Sequence, residues 1–150
     1  MFEFIEKIHE NSVLEIKGKM YHVLAKVKYV TESHPSNRYA KIQLENHFVL
    51  VIAPFDNYMY FGYVGNTYPC DFPTPNSISY NGKIFSKDSE DYQIVKEFIF
   101  WDFLSMEGEV QYTDFSCWNS LISLWIISRT KERSDVYAET INLTDINIIR

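Results

Sequence analysis

A chain of 150 residues has the length of one domain, and it can bury enough surface to fold without a disulfide or a metal, so we expect a single domain over residues 1–150. The net charge of −6 argues against nucleic-acid binding, because proteins that bind phosphate backbones carry a basic patch. The aromatic fraction of 17% is high, and aromatic residues favour strands.

Three features predict a cytosolic protein. The N-terminus, MFEFIEKIHENS, has neither the positive start nor the uninterrupted apolar run of a signal peptide. The longest apolar run, at 48–54, is too short to span a bilayer. Cys70 and Cys117 lie far apart and match no metal spacing, so we expect free thiols in a reducing compartment.

The first thirty residues predict a short helix and then a hairpin. Apolar side chains within residues 2–10 lie near helical spacing, which predicts one short helix or turn. Residues 14–30 alternate around Lys17-Gly18, where Gly supplies the positive φ of a two-residue turn. The hairpin therefore has one apolar face, and we expect a solvated strand face to carry the only local group of lysines: Lys17, Lys19, Lys26 and Lys28.

Three further strands follow. Residues 39–44 alternate, with the apolar side chains expected inward and Tyr39, Lys41 and Gln43 outward. Residues 48–53 are apolar on both faces, which predicts a central strand. Residues 58–64 predict an aromatic-rich strand with Gly62 as a bulge.

The middle of the chain combines a clear signal with an ambiguous one. Residues 65–76 contain three prolines and predict an irregular crossover. At 77–86, Asn81-Gly82 between alternating residues predicts a type I′ hairpin. Residues 88–105 have the length of a helix, but their β-branched and aromatic residues favour extended structure, which we expect. The hairpins at 14–21 and 78–85 align at a constant offset, either as independent uses of one turn or as two related halves.

Residues 107–128 predict two antiparallel strands, around which the rest of the sheet is arranged. Alternation places Val110, Tyr112 and Asp114 on one face of the first strand. The second strand is apolar on both faces, with Ser123 and Trp125 sharing one of them. After a charged turn at 131–134, short strands are expected at 136–139 and 147–149. The predicted fold is all-β and mainly antiparallel, as two packed sheets or a partly open barrel, with at most one or two short helices.

The order of several short motifs resembles the bacterial domain of unknown function called DUF4178, from about residue 12 onward. The motifs are Gly18-Lys-Met-Tyr21-x-Val23, Val27-x-Tyr29, Tyr39-x-x-Ile42-x-Leu44, Tyr80-Asn-Gly82-Lys-x-Phe85, Gly108-Glu109-x-x-x-Tyr112-x-Asp114-Phe115, the strand with Trp125, and Tyr137-Ala138-Glu139. Ala138 stands where the family usually has Gly, which puts in doubt any close backbone approach there. The resemblance implies a small β-rich cytoplasmic bacterial module that can occur alongside membrane-stress proteins, and it implies no reaction.

Candidate binding residues lie in the second half of the chain. Acidic residues inside strands are uncommon without a reason. The interpretation we favour is that they pair with Lys or Arg across strands or form a hydrogen bond into a turn. The alternative is that they form a recognition surface together with nearby aromatic residues. On the second interpretation the binding residues are Glu109, Tyr112, Asp114, Trp125, Tyr137 and Glu139. We assign no catalytic residue, metal ligand or cofactor, since the histidines lack ligand spacing and there is no nucleophile elbow or phosphate loop.

Three function classes remain open. The leading one is a non-catalytic protein-interaction or scaffold module, whose partner is another protein rather than nucleic acid, without direct membrane insertion. Unpaired strand edges leave a homodimer open. The second is a small-ligand binder with a cavity between the strands. A hydrolase-like enzyme is the weakest, because it needs convergent His, Cys or carboxylate groups in a water-excluding cleft.

Overall fold

The computed structural model describes residues 1–31, 38–54, 56–65, 74–100, 109–127, 131 and 133–150. The chain is all-β, as predicted, with one short helix, α1 (Phe2–Lys7), before the first strand. Two 3-10 turns lie at Glu45–His47 and Leu143–Asp145. The strands are β1 (Val13–Ile16), β2 (Lys19–Thr31), β3 (Arg38–Leu44), β4 (Phe48–Ala53), β5 (Tyr58–Val64), β6 (Ser77–Tyr80), β7 (Lys83–Phe100), β8 (Glu109–Cys117), β9 (Ser120–Ile127), β10 (Arg133–Ile141) and β11 (Ile146–Ile148).

The strands form one antiparallel sheet in the order β11-β1-β2-β3-β4-β5-β10-β9-β8-β7-β6, with an additional pairing of β2 with β7. One edge of β2 is shared, because Lys19–His22 pairs with β1 and Lys26–Thr31 pairs with β7. The sheet therefore curves until β7 meets β2, while β11 and β6 stand at its two ends. A single curved sheet corresponds to the partly open barrel of the prediction rather than to two packed sheets.

The concave side of this sheet holds one cluster of side chains from strands on opposite sides. We call it the inner cluster, and its buried members are Val27, Tyr29, Tyr39, Val49, Ala53, Val64, Val110, Trp125, Val136 and Ala138, with Val51, Tyr58, Tyr60 and Tyr112 packed against them. Because side chains alternate along a strand, the intervening residues point to the convex side.

Two apolar layers cover the convex side. The first, which we call the outer layer, joins α1, β1 and β11 to the backs of β2 to β5, and its buried members are Ile5, Ile8, Leu14, Ile16, Tyr21, Val23, Ala40, Ile42, Leu44, Leu50, Ile52, Met59, Ile141 and Ile146. The second lies under the β6–β7 hairpin and contains Ile78, Phe85, Phe115, Ile122 and Leu124. Strands β3, β4 and β9 are thus covered on both faces, whereas the concave face of β8 is half-buried.

Local turn chemistry explains both predicted hairpins, and both are confirmed. Lys17 and Gly18 have φ of 49° and 84°, and Asn81 and Gly82 have φ of 49° and 74°. Positive φ at both central residues is the type I′ conformation, whose twist matches that of the flanking strands. The expected extended structure after residue 88 is confirmed as far as Phe100, where β7 ends.

Two predictions about lysines are wrong, because each of these side chains is buried, one on either side of the sheet. Lys26 is 2% exposed, and its Nζ donates to the backbone oxygen of Ile8 at 2.9 Å, so the β2 lysines do not form a single solvated face. A register shift between Val23 and Ala25 interrupts the alternation of β2. The predicted single apolar face of the hairpin is therefore wrong, because Tyr21 and Val23 lie in the outer layer whereas Val27 and Tyr29 lie in the inner cluster. Lys41, expected to point outward, is also buried, because β3 carries the outer layer on one face and the curved interior on the other.

Gly62 does not form the predicted bulge, since β5 keeps a continuous register there with both β4 and β10. A Cβ at this position would lie 2.1 Å from the backbone oxygen of Tyr137 and 2.5 Å from the Cα of Ala138. Gly62 is therefore required for the close approach of β5 to β10. It supplies the space opposite Ala138, the residue at which the DUF4178 pattern usually has Gly.

The remaining elements differ from the predictions mainly in their ends. The predicted strand at 136–139 is part of the longer β10, and the last strand is β11 (Ile146–Ile148). Most of the predicted crossover, at 66–73, and the end of the ambiguous segment, at 101–105, lie outside the described residues. No helix in the described part of the chain is long and apolar enough to cross a membrane.

A candidate ligand pocket inside the curved sheet

A pocket of about 190 Å³ opens into the concave side of the sheet. Its mouth carries the exposed residues Asp56 and Ser89, and its floor carries the buried residues Thr31, Tyr39 and Ala53. Between them lie three half-buried side chains: Tyr58, Tyr112 and Asp114. Phenol, hydroxyl and carboxylate groups thus surround a space formed by strands that are far apart in the sequence.

Strand alternation and register place the residues at the centre of this site. Tyr112 pairs with Trp125 and Asp114 pairs with Ser123 across the β8–β9 ladder. Directly opposed residues of an antiparallel pair project to the same face, so all four side chains lie on the concave side. The predicted shared face of Tyr112 and Asp114, and that of Ser123 and Trp125, are therefore confirmed.

A chain of hydrogen bonds fixes the Asp114 carboxylate. The indole Nε1 of Trp125 donates to Ser123 Oγ at 2.7 Å, and Ser123 Oγ donates in turn to Asp114 Oδ1. Ser89 Oγ lies 3.5 Å from the second carboxylate oxygen, Oδ2. A side chain held in this way is oriented before any ligand arrives, which lowers the entropy cost of binding.

The carboxyl group of Asp114 has a perturbed acidity. Burial raises its pKa from 3.8 to about 6, and the neighbouring carboxylate of Asp88 raises it further. The hydrogen bonds from Ser123 and Ser89 and the positive charge of Lys41 act in the opposite direction. Asp114 is therefore a carboxylate at neutral pH that becomes protonated in mildly acidic solution.

A buried lysine adjoins the same carboxylate. Lys41 is 4% exposed, and its Nζ lies 3.4 Å from the ring centroid of Trp125 and 4.7 Å from that of Tyr29. Burial lowers the pKa of Lys41 well below its ordinary value, and the charge of Asp114 opposes that shift. The aromatic rings stabilise the ammonium by cation–π attraction in a place where water cannot solvate it.

Some polar atoms of this interior have no partner among the described residues. The hydroxyl of Tyr39 and the Oε1 of Gln43 are buried and accept or donate no hydrogen bond there. Burial raises the pKa of Tyr39 well above its ordinary value, so its hydroxyl stays protonated. Buried polar groups are nearly always hydrogen-bonded in folded proteins.

The structure divides the six predicted site residues into an inner and an outer group. Tyr112 and Asp114 line the pocket, and Trp125 is linked to Asp114 through Ser123. Trp125 is only 3% exposed and so is not the surface residue that a recognition patch requires. The others are Glu109, Tyr137 and Glu139, which alternation places on the opposite faces of β8 and β10.

The outer group makes its own contacts. Tyr137 packs on the second apolar layer, 5.7 Å between ring centroids from Tyr80 and 6.4 Å from Phe85. Its hydroxyl lies 3.4 Å from Glu139 Oε1 and 3.4 Å from Ser120 Oγ. These contacts stabilise the outside of β10 and do not reach the pocket.

Sequence reasoning missed the pocket residues contributed by the first half of the chain: Thr31, Tyr39, Ala53, Asp56 and Tyr58. The alternation of Tyr39, Lys41 and Gln43 was visible, but polar residues on a strand normally face water. Only the pairing of β2 with β7 turns that face inward.

The surface outside the pocket carries a second, more open depression. A shallow groove of about 980 Å³ brings His9, His22, Glu10 and Glu45 near Arg150. No group of three or more His, Cys, Asp or Glu in the described ranges is arranged to hold a metal ion. Cys117, half-buried on β8, is a free thiol.

Comparison of the chain with protein-family models, with curated proteins and with solved structures found no match. The resemblance to DUF4178 therefore stays a prediction.

Proposed function

We propose that this chain is a small-ligand-binding module whose ligand occupies the pocket at Tyr39, Tyr58, Tyr112 and Asp114. The observation that carries the proposal is the Asp114 carboxylate, which lines the pocket and is held in place by hydroxyl groups of Ser123 and Ser89. A polar group oriented in this way binds a ligand at a lower entropy cost.

The volume of the pocket limits the size of the ligand. Sites for drug-sized molecules measure roughly 300–1,000 Å³. At about 190 Å³ this pocket suits a smaller molecule with few heavy atoms. Its hydroxyl and carboxylate groups select a ligand with hydrogen-bond donors rather than a purely apolar one.

Closing the mouth of the pocket tests the proposal. Ser89 and Ser86 are both exposed serines of β7, and only Ser89 lines the pocket. We expect ligand-observed NMR with mixtures of small amines, alcohols, carboxylic acids and sugars to detect a ligand with the native chain and with Ser86→Phe. Ser89→Phe should lose it. A search that finds no ligand, or ligands that bind both variants equally, would contradict the proposal.

We propose as a second function a protein-binding surface at the turn between β8 and β9. Trp118 in this turn is 97% exposed, with φ of 56°, a backbone conformation that bulky residues seldom adopt. Ile84, also exposed, lies at the same end of the β7–β8 pair, since Ser86 pairs with Ser116. Exposed tryptophan is enriched at the centres of protein interfaces.

Substitution of this surface tests the second function without disturbing the core. Trp118→Ser with Ile84→Ser should abolish recovery of a specific protein in pull-downs from bacterial lysate, and binding should be reproduced with that protein purified. Ile149→Ser changes an exposed apolar residue near β11 and serves as the control. Equal recovery with all variants would exclude the Trp118 surface.

We also propose that the chain is a bacterial cytosolic protein of the DUF4178 type. The ordered motifs of the sequence and the free thiol of Cys117 support this proposal. Cell fractionation of the native host should place the chain with cytosolic markers, and recovery in the periplasm or the medium would contradict it.

A further inference from the structure

We infer that Asp114, Ser123 and Trp125 form a pH-sensitive relay, in which a proton taken up at the pocket wall alters the packing of Trp125 against Lys41. This inference goes beyond ligand binding, because it concerns how the interior responds to acidity with or without a ligand. It follows from the hydrogen-bond chain through the three residues, from the buried ammonium beside it and from the different surroundings of the two carboxylate oxygens.

The two oxygens of the Asp114 carboxylate have unlike neighbours. Oδ1 accepts a hydrogen bond from Ser123 Oγ, which in turn accepts one from Trp125 Nε1 at 2.7 Å. Oδ2 lies 3.5 Å from the hydroxyl of Ser89, an exposed residue at the mouth of the pocket. Because a donor already points at Oδ1, an added proton is expected on Oδ2. Protonation therefore changes Oδ2 from a hydrogen-bond acceptor into a donor on the pocket wall.

The hydrogen-bond chain carries this change inward. A hydrogen bond to an ionised carboxylate is roughly twice as strong as one to a neutral group, so protonation of Asp114 weakens the bond that Ser123 donates. Bonds in a chain polarise one another, and the bond from Trp125 Nε1 to Ser123 weakens with it. Ser123 and Trp125 are only 4% and 3% exposed, so little water is present to replace these bonds. A charge change at the pocket thus reaches a buried indole.

Lys41 brings the same change to the face of that indole. Its Nζ lies 3.4 Å from the centroid of the Trp125 ring, in a position that is almost fully buried. Burial lowers the pKa of Lys41 well below its ordinary value, and the charge of Asp114 acts against this shift. When Asp114 takes up a proton, the ammonium loses that support and depends more strongly on the aromatic ring. Trp125 therefore responds both at Nε1 and at its ring face.

The charges around Asp114 set the pH at which the relay responds. The described groups that face it are Lys41 and Tyr39 of β3, Tyr58 and Tyr60 of β5, Asp88 and Ser89 of β7, and Ser123 of β9, with Asp56 and Tyr112 in the same pocket lining. Burial raises the pKa values of the three facing phenols of β3 and β5, so they keep their protons. Burial and the charge of Asp88 raise the pKa of Asp114 to about 6, whereas the charge of Lys41 opposes this rise.

An NMR titration of the full chain from pH 4.5 to pH 8 follows both ends of the relay. The carboxyl carbon of Asp114 and the indole N–H of Trp125 should shift with one shared midpoint near pH 6. Asp114→Asn should abolish the shift of this indole. Ser123→Ala should leave the carboxyl titration in place but reduce the indole shift by about half or more. The indole of Trp118, which is 97% exposed, is the internal control, and Glu139→Gln is the control variant.

Two charge variants test the surroundings of Asp114 with opposite signs. Lys41→Met removes the positive charge and should raise the midpoint of the carboxyl titration by about 0.5 pH unit or more. Asp88→Asn removes a like charge and should lower the midpoint. Asp88 is exposed, so this variant keeps the test available if Lys41→Met does not fold.

Three outcomes would overturn the relay. The first is a carboxyl group of Asp114 that does not titrate between pH 4.5 and pH 8. The second is an indole signal of Trp125 that stays constant while the carboxyl group titrates. The third is an indole shift that is the same in Ser123→Ala as in the native chain. None of these outcomes bears on the ligand search with Ser89→Phe, so failure of the relay and failure of ligand binding are separate results.

Discussion

The two faces of β3 are equally buried and chemically opposite. Ala40, Ile42 and Leu44 pack in the outer layer among other apolar and aromatic side chains. Tyr39, Lys41 and Gln43 lie on the concave face and are also buried. Burying a lysine, an amide and a phenol gains less than burying Leu and Ile, because each polar group loses its hydration. The gain in stability therefore explains the composition of the outer layer but not that of the concave face.

The same contrast recurs on β8. Phe115 packs in the second apolar layer, while its neighbour Asp114 faces the interior and is held by Ser123. Two strands that lie on opposite sides of the curved sheet thus present polar groups to one shared space. A concave face that sacrifices stability in this way is typical of a binding site.

The largest expected effect is in the outer layer. Leu50 is completely buried there, and Leu50→Ala removes apolar contacts and leaves a cavity. We expect the free energy of unfolding to fall by about 3 kcal/mol, within a usual range of roughly 2–5 kcal/mol. Urea denaturation followed by tryptophan fluorescence measures this change. A loss below about 1 kcal/mol would mean that the outer layer does not carry the fold.

The second expected effect concerns Asp114 on the concave face, where substitution should raise the free energy of unfolding rather than lower it. The folded-state pKa of Asp114 is raised to about 6 from an ordinary 3.8, so the folded state binds more protons than the unfolded state between these values. The protonated carboxyl group of Asp114 makes its full contribution to the free energy of unfolding below about pH 4. This contribution is lost as the pH rises through about 6, and the total loss is about 3 kcal/mol. Asp114→Asn should therefore match the native chain at pH 4 and be more stable at pH 8.

Denaturation series at pH 4, 6 and 8 measure this difference. Glu139→Gln, an exposed outward-facing change, is the control and should follow the native curve. If Asp114→Asn is destabilised equally at all three values, the carboxylate stabilises the fold, and the contrast between the two faces fails.

Local sequence patterns were sufficient to predict the strands, but they did not predict which residues line the pocket. Asn81-Gly82 and Lys17-Gly18 determine their hairpins because positive φ is a property of a few residues. Alternation likewise places Tyr112 with Asp114, and Ser123 with Trp125, on one face. Alternation shows which residues share a face, but it does not show what that face meets.

The curvature of the sheet was the missing information. The predicted outward direction of Lys41 followed the rule that charged residues on a strand face solvent, and the pairing of β2 with β7 reverses it. That pairing joins residues about 70 positions apart, as in Lys28 with Glu97, and no short pattern encodes it. Gly62 illustrates the same limit, because its close contact with Tyr137 and Ala138 depends on β10.

The isosteric substitution Val→Thr, made once on each side of the sheet, tests the contrast between the outer layer and the concave face with a smaller loss of stability. Val23 lies in the outer layer, and Val49 lies on the concave face directly opposite Gln43 in the β3–β4 ladder. Val→Thr adds a buried hydroxyl at either position. Val23→Thr should cost about 1–3 kcal/mol because it places a hydroxyl among the apolar side chains of the outer layer.

Val49→Thr should cost at least about 1 kcal/mol less than Val23→Thr, because its hydroxyl can donate to the unpartnered Oε1 of Gln43. The two variants are compared by thermal and urea denaturation under one set of conditions. Equal losses would mean that the concave face is as intolerant of polar atoms as the outer layer.

The smallest change in stability is expected at Tyr39, on the concave face of β3. Tyr39→Phe removes a buried hydroxyl that makes no hydrogen bond to the described residues. The free energy of unfolding should therefore rise by about 1 kcal/mol, the lower end of the cost of leaving such a group unpaired. Urea denaturation of the native chain and of Tyr39→Phe measures this change. If Tyr39→Phe instead destabilises the chain by about 2 kcal/mol or more, the hydroxyl stabilises the fold, and the polar face of β3 must be explained by stability after all.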